Sequence, residues 1–195
     1  MSPDSIRRQY RQIRLSLGHA EQQFNASQLS RHVESYLGFC RNLKIAAYQA
    51  VKGELSLNPW IEGNINHHQI YLPVLYEMID PRLRFARLDR DTRWRRNRYG
   101  IAEPLGKWHQ TLHPRELDIV LMPLVAFDRH GNRLGMGGGF YDRSLGFRRH
   151  RKHWIKPRLI GIAHSCQEHP ALPHQPWDVA LDAIITEQGI IITKG

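Results

Sequence analysis

The chain has 195 residues, 41% of them hydrophobic and 24% charged. That length suits one domain burying roughly 70% of its unfolded surface, with no need of a disulfide or metal staple, and the composition excludes a wholly disordered chain. The 28 Lys and Arg against 18 Asp and Glu leave a formal charge of +10, which selects for polyanionic company: nucleic acid, acidic lipid, or a small ligand rich in phosphates or carboxylates.

Residues 1–195 read as a single domain. Cys40 and Cys166 make no CxxC pair, so no zinc ribbon or thioredoxin motif is supported; a single disulfide is an alternative, but two buried or free thiols in a reducing cytosol are expected. No apolar run approaches the ~20 residues of a bilayer span. The opening Met-Ser-Pro-Asp-Ser-Ile-Arg-Arg lacks the apolar core of a secretory signal. The expected location is the cytoplasm.

Two helices open the chain. Ile6, Tyr10, Ile13 and Leu17 recur at helical spacing, with Arg7, Arg8, Arg11 and Arg14 mostly on a solvated face and Gly18 as the stop. Phe24, Leu29, Val33, Tyr36 and Leu37 form the apolar stripe of a second helix, closed near Gly38. Strands and helices then alternate. Lys44–Ala50 reads as a buried strand. Asn58 and Pro59 read as the N-cap and first residue of a short helix. Gln69–Leu75 is a strand whose Pro73 marks an edge or a strand end. Leu83–Leu88 alternates like a half-exposed strand. Asp118–Phe127 is the most apolar segment and is expected to be a central strand. Tyr141–Arg149 reads as helical, Leu159–Ala163 as a buried strand, and Ala183–Thr193 as a hairpin turning at Glu187-Gln188-Gly189. Short buried strands mixed with helices predict an α/β layered fold, Rossmann-like: an open, mostly parallel sheet with helices on both faces.

Basic residues cluster twice. Arg82–Arg98 holds eight arginines and two aspartates, interleaved with Trp94 and Tyr99 as in single-strand binders. Arg143–Arg158 holds seven Lys or Arg plus His150 and His153. Neither carries an RNP1, zinc-finger or helix-turn-helix pattern, and a solvated arginine-rich loop outweighs a nucleic-acid site for the first. The twelve histidines are scattered and no HExxH occurs, which argues against a histidine metal site.

One segment carries chemistry. Between the apolar run and the next helix lies Phe127-Asp-Arg-His-Gly-Asn-Arg-Leu-Gly-Met-Gly-Gly-Gly-Phe-Tyr-Asp-Arg143. Gly135, Gly137, Gly138 and Gly139 fall within five residues. Glycine costs backbone entropy, so this density points to a loop whose bare N–H groups meet an anion. It is neither a Walker A loop nor GxGxxG, because the last position is Phe140. Arg133 offers a bidentate cation, and Asp142 is placed to hold magnesium on a phosphate. The competing reading is a tight turn with Asp142 paired to a local arginine.

The string from Pro123 to Arg143 strongly resembles the signature of the 5-formyltetrahydrofolate cyclo-ligase family, also called 5,10-methenyltetrahydrofolate synthetases. Ala47–Leu55, Ile101–Pro104 and Trp177–Asp182 resemble further family segments, in the same order along nearly the whole chain. The resemblance implies ATP- and magnesium-dependent cyclisation of 5-formyltetrahydrofolate to 5,10-methenyltetrahydrofolate. The formyl oxygen attacks the γ-phosphate, N10 closes the ring, and phosphate departs. The amide oxygen is a poor leaving group until it is phosphorylated, so the protein's share is mainly positioning and charge neutralisation.

By the same resemblance, Arg7 and the loop Arg133, Leu134, Gly135, Met136, Gly137, Gly138, Gly139, Phe140 and Tyr141 bind ATP. Tyr48, Gln49, Glu54 and Tyr99, with Met136 to Phe140, bind the folate, Glu54 at its pterin or formamide region. Asp142 and Asp178 are magnesium ligands. The implied partner is a folate, polyglutamylated or not; no membrane is implied, nucleic acid is disfavoured, and the chain reads as a monomer. Two features depart from the family pattern: Met136 and Gly138 stand where many relatives carry Lys or Arg, and Pro3 replaces an N-terminal lysine. The rival readings are a basic nucleic-acid-binding protein, a different α/β enzyme such as one handling sugar phosphates, and a folate-binding relative without turnover.

Overall fold

The computed structural model describes residues 2–76, 80–150 and 156–193. Four helices are present: α1 (Pro3–Leu15), α2 (His19–Leu37), α3 (Asn58–Asn64) and α4 (Phe140–Leu145). The strands are β1 (Lys44–Ala46), β2 (Gln69–Tyr76), β3 (Asp80–Arg87), β4 (Trp94–Arg96), β5 (Ala102–Pro104), β6 (Ile119–Pro123), β7 (Ala126–Phe127), β8 (Arg133–Leu134), β9 (Arg158–Ile162), β10 (Ala183–Thr186) and β11 (Gly189–Ile192). Seven of them form one sheet in the order β11-β10-β9-β6-β1-β2-β3. From β10 to β2 all neighbours are parallel; β3 and β11 are added antiparallel at the two edges. The expected mostly parallel α/β sheet is therefore present, with the apolar run of β6 at its centre.

Both faces of the sheet are buried, which is why its strands read as continuous apolar runs. Side chains still alternate. Ile45, Ile119, Leu121, Ile160, Ile162 and Ile185 pack with Leu29, Val33, Trp60 and Ile61 of α2 and α3. Ala46, Val120, Met122, Leu159 and Ile184 face the other way, onto Leu145 of α4 and the loop residues Leu124, Val179 and Leu181. A third cluster seats Ile6 and Tyr10 of α1 on Val125, Ala126 and Leu134 of the β7–β8 hairpin.

Several boundaries differ from the sequence expectation. Helix α1 starts under a Ser2 cap with Pro3 in its first turn and stops at Leu15, leaving Leu17 outside. Arg14 does not share the solvated face: it is 1% exposed. In α2, Phe24 is exposed and Asn25 and Ala26 take the inward positions. Asn58 does not cap α3; its own N–H is accepted by Ser56 Oγ at 3.2 Å, and Pro59 stands second in the helix.

The expected Lys44–Ala50 strand ends at Ala46, and the chain beyond it turns at Lys52 and Gly53, which sit in the left-handed region at φ 51° and 75°. Strand β2 is internal, not an edge. Its Pro73 lies opposite Phe85, whose N–H and C=O both bond Leu112, so no ladder bond to β3 is lost there.

The single strand expected over Asp118–Phe127 is two. The ladder with β9 ends at Leu124, and the Val125 N–H bonds Leu134 instead. At this break Gln167 Nε2 donates to both the Leu124 and Val125 carbonyls at 2.8 Å. Side chains thus satisfy the buried carbonyls that leave the sheet. The helix expected over Tyr141–Arg149 is α4 followed by a 3-10 turn at Gly146–His150. The β10–β11 hairpin is as expected. Strand β4 falls inside the first basic cluster and pairs with β5 just beyond it. Residues 151–155 of the second basic cluster lie outside the described residues. Both cysteines are free, and no described helix is long and apolar enough to cross a membrane.

Gly161 shows how tightly the second face is packed. A Cβ there would lie 2.5 Å from Leu124 Cδ1 and 2.7 Å from Leu181 Cδ1. We expect Gly161→Ala to cost about 1–3 kcal/mol by overpacking. Gly63→Ala, with nothing within 4 Å of the new Cβ, is expected to be neutral or stabilising because helical glycine carries an entropic cost. Denaturant midpoints of the two variants check this contrast.

Candidate active site

The sheet order reverses between β1 and β6: the chain works outward through β2 on one side and through β9 on the other. Open α/β sheets hold ligands beyond the carboxyl ends of the strands at such a point. A cleft of about 870 Å³ opens there. Tyr48, Gln49 and Glu54 reach it from the loop after β1, Arg7 from α1, and Tyr99 from the β4–β5 turn. Arg133 to Asp142 enter from β8, the glycine loop and α4, and Asp178 enters from the segment before β10. All site residues expected from the sequence therefore line one cleft.

Glu54 forms the deep wall. Its side chain is 7% exposed; Oε2 accepts the Val51 N–H at 3.1 Å, and Oε1 lies 3.6 Å from Arg14 Nη2. Burial raises the Glu54 carboxyl above the usual range, and Arg14 opposes that rise. Burial likewise raises the Tyr48 and Tyr141 phenols, and the Glu54 charge adds to both shifts. The Tyr48 hydroxyl donates to the Leu55 carbonyl, fixing the loop that carries Glu54.

Arg14 ties three cleft-forming segments together. Its Nε donates to the Lys52 carbonyl at 3.0 Å and its Nη1 to the Leu124 carbonyl at 3.2 Å, while Nη2 meets Met136 Sδ at 3.9 Å. Its burial weakens its hold on its proton, and the Glu54 carboxylate opposes that. The loop after β1 packs directly against α1 here: a Cβ on Gly53 would stand 2.9 Å from the Arg14 carbonyl oxygen.

The glycine loop has the form its composition predicts. Gly137 and Gly139 sit at φ 94° and 62°, and a Cβ on Gly138 would meet the Phe140 ring at 2.9 Å. Among the described residues, no backbone N–H from Gly135 to Gly139 donates to a protein acceptor. Arg7 lies over the loop: its Nε donates to the Gly135 carbonyl at 2.9 Å, and Nη1 pairs with Asp4 at 2.6 Å. Tyr99 packs edge-on to Phe140, ring centres 6.0 Å apart, so the β4–β5 turn reaches across to the loop.

Arg133 does not stand free in the cleft. Its guanidinium pairs with Asp142 Oδ1 and donates to the Val179 carbonyl, so the local arginine–aspartate pair is formed. Asp142 Oδ2 and Asp178 Oδ1 have no protein partner among the described residues; Asp178 Oδ2 accepts the Gln175 N–H at 2.8 Å. No group of three or more metal-ligating side chains occurs among the described residues.

The sequence reading missed Arg14, Lys52, Arg143 and Trp177 as lining or supporting residues. Lys52 and Trp177 lie within the segments already singled out and could have been included. Arg143 closes the signature and sits 5.0 Å over the Phe140 ring. Nothing local distinguishes Arg14 from its solvated neighbours. The arginines of the first basic cluster are largely engaged: Arg82 pairs with Asp80, Arg84 bonds Thr111, and Arg95 pairs with Glu103.

A family model described as the 5-formyltetrahydrofolate cyclo-ligase family matches residues 2–187. The chain belongs to that family. Over 183 residues it is 37% identical to the 5-formyltetrahydrofolate cyclo-ligase of Haemophilus influenzae, covering 92% of this chain and 95% of the relative. It is 36% identical over 179 residues to the cyclo-ligase of Escherichia coli K12, covering 90% and 95%. The fold matches the solved 5,10-methenyltetrahydrofolate synthetase of Aquifex aeolicus with a TM-score of 0.84 and 27% identity, covering 100% of this chain and 94% of the other. It matches the Mycoplasma pneumoniae synthetase with a TM-score of 0.73 and 29% identity, covering 96% and 99%. The cyclo-ligase family thus accounts for the fold and for residues 2–187.

Proposed function

We propose that this single-domain chain cyclises 5-formyltetrahydrofolate to 5,10-methenyltetrahydrofolate, with ATP converted to ADP and phosphate and with magnesium required. The observation that carries this reading is the convergence, in one cleft, of a loop of free backbone N–H groups under Arg7 and a buried carboxyl at Glu54. The loop matches a phosphoryl group, which wants many N–H donors and a cation. Glu54 suits the neutral N–H-rich edge of a pterin or the formamide, because a buried carboxyl there binds donors strongly.

Roles follow from position. Gly135 to Gly139 and Arg7 cradle the phosphates. Glu54, with Gln49 beside it, orients the folate so that the formyl oxygen faces the γ-phosphate and N10 faces the formyl carbon. Tyr99, Phe140 and Trp177 close an apolar wall over the reacting groups and limit water, which would otherwise consume the phosphorylated formamide. Asp142 and Asp178 each offer one carboxylate oxygen, a donor set that fits magnesium, which takes few protein carboxylates and completes its shell with water and phosphate. The ion, when bound, neutralises charge on the transferring phosphoryl group.

Absorbance of the purified protein with 5-formyltetrahydrofolate tests the reading, since the methenyl product absorbs where the substrate does not. Product is expected only with ATP and magnesium together. ATP-independent product, or none under any condition, overturns it; binding without turnover would leave a folate-binding relative. Glu54→Ala is expected to weaken folate binding about 10–100-fold, the loss of a hydrogen bond to a charged group, with ATP binding nearly unchanged. Equal loss for both ligands in a titration would contradict the role given to Glu54.

A further inference from the structure

Met136 stands in the middle of the glycine loop, lines the cleft and is 48% exposed. Its neighbours Gly135 and Gly137 have no side chains to cover it, and a Cβ on Gly135 would meet nothing within 4 Å. Small solutes in the cleft therefore reach this side chain. Met122, in contrast, lies in β6 at 0% exposure. The other two methionines, Met1 and Met78, lie outside the described residues.

The Met136 sulfur also has a charged neighbour. Arg14 directs Nε to the Lys52 carbonyl and Nη1 to the Leu124 carbonyl, both at hydrogen-bond distance. Its Nη2 has two looser partners: Met136 Sδ at 3.9 Å and Glu54 Oε1 at 3.6 Å. A thioether is a weak acceptor, and 3.6 Å is an ion pair beyond hydrogen-bond length. A stronger acceptor on the sulfur would take this nitrogen.

We propose that Met136 is a modification site: peroxides oxidise it to the sulfoxide, and the oxidation inhibits the enzyme. The inference rests on the roles given above to the glycine loop and Glu54. A sulfur lone pair attacks one peroxide oxygen, the O–O bond breaks and an S–O bond forms. The proton of the attacked oxygen passes to the leaving oxygen, which departs as water or an alcohol. Sulfur is oxidised by two electrons and the peroxide is reduced. A dithiol reverses the step through methionine sulfoxide reductases, becoming a disulfide while the oxygen leaves as water.

Oxidation turns an apolar side chain into a polar one. The new oxygen is a strong acceptor beside Arg14 Nη2. It ties the glycine loop to α1 and draws the guanidinium away from Glu54, whose side chain is 7% exposed and has Arg14 as its cation. One atom thus disturbs both the phosphate loop and the folate-binding carboxyl.

The test titrates hydrogen peroxide against two proteins, one with Met136 and one carrying M136L. Both carry C40S/C166S, which removes the two free thiols that peroxide would also attack. Peptide mass spectrometry is expected to find one added oxygen on Met136, in step with the loss of activity, and none on Met122. The protein with Met136 should fall about tenfold in rate against its own untreated state, the scale of one hydrogen bond to a charged group. Methionine sulfoxide reductases A and B together, one for each sulfoxide epimer, should restore it. The M136L protein, against its own untreated state, should keep its rate. Met136→Gln presents an amide oxygen near the same place; it should be slower than M136L without peroxide and indifferent to peroxide. Activity lost while Met136 stays unmodified, an equal loss in M136L, or full activity with Met136 oxidised overturns the site. Absence of turnover by the untreated protein overturns the folate reading instead. ATP titration then decides Met136: binding about tenfold weaker after oxidation, in the protein with Met136 alone, supports it, and unchanged binding overturns it. Thermal unfolding checks M136L, and if it is not folded, recovery under the reductases, matched to loss of the oxygen mapped at Met136, carries the comparison.

Discussion

Arg14→Met is expected to cost about 3–5 kcal/mol, the scale for breaking a buried ion pair by removing one partner. Methionine keeps much of the apolar stem but leaves the Lys52 carbonyl without its donor and Glu54 without its cation. The Leu124 carbonyl keeps Gln167 and suffers less. The loss should depend on pH, and its sign is fixed. Burial holds the Glu54 carboxyl above its reference of 4.5, so the folded state favours the protonated form more than the unfolded state does. That contribution is fully present below the unfolded value and is lost as pH rises through the higher folded value. Removing Arg14 takes away the largest opposing influence and raises the folded value further. Arg14→Met should therefore be further below wild type at about pH 7.5 than at about pH 4, by denaturant unfolding at each pH. Pairing it with Glu54→Gln should recover ~1–2 kcal/mol relative to the sum of the single losses. A deficit independent of pH, with additive single effects, would mean that Arg14 acts only through its carbonyl bonds.

Arg14 also marks where sequence reasoning stops. Its helix carries four arginines, Arg7, Arg8, Arg11 and Arg14, and the one that turns inward is decided by acceptors at Lys52, Leu124 and Met136, 38 to 122 residues away. No local pattern carries that information. The same holds for the break between β6 and β7. The apolar run predicts burial correctly, but the bend depends on Gln167 reaching two carbonyls more than 40 residues upstream. The β4–β5 hairpin was hidden for another reason. Its strands are three residues long and their alternation is written in arginine, so Arg95 and Glu103, which pair across the hairpin, read as solvated charge.

The glycine loop was legible because its constraint is local. Left-handed φ at Gly137 and Gly139 disfavours any side chain there, and at Gly138 one would have to displace the Phe140 ring, so the need is spelled in residue type. Glu54 was legible only through the family resemblance, since an acidic residue after a Lys-Gly turn looks like any exposed loop carboxylate. Burial at 7% exposure, with Arg14 beneath it, makes it distinctive. For Asp142 the sequence leaves two readings open, a magnesium ligand or the partner of a local arginine, and the pair with Arg133 is formed.

Asp142→Asn and Asp178→Asn are each expected to lower kcat/KM about 100-fold, or ~2.7 kcal/mol of transition-state stabilisation, and to raise the magnesium concentration that supports half-maximal rate. Both carboxylates line the same cleft, and each keeps one oxygen free of protein partners among the described residues. If they share one ion, losing either ligand disables the same interaction. The double Asn variant should then be little worse than the worse single variant, the non-additivity of groups that act as a unit. Their stability costs should differ. Asp142→Asn leaves Arg133, 7% exposed at its side chain, without its carboxylate, whereas Asp178→Asn keeps an amide oxygen to accept the Gln175 N–H. Denaturant unfolding without magnesium should therefore show the larger loss for Asp142→Asn, about 1–2 kcal/mol. Kinetic losses that add in the double variant, with an unchanged magnesium requirement, would assign the two carboxylates to separate structural contacts. A double variant no worse than either single one, with the magnesium curve shifted in both, would assign them to one ion on the transferring phosphate.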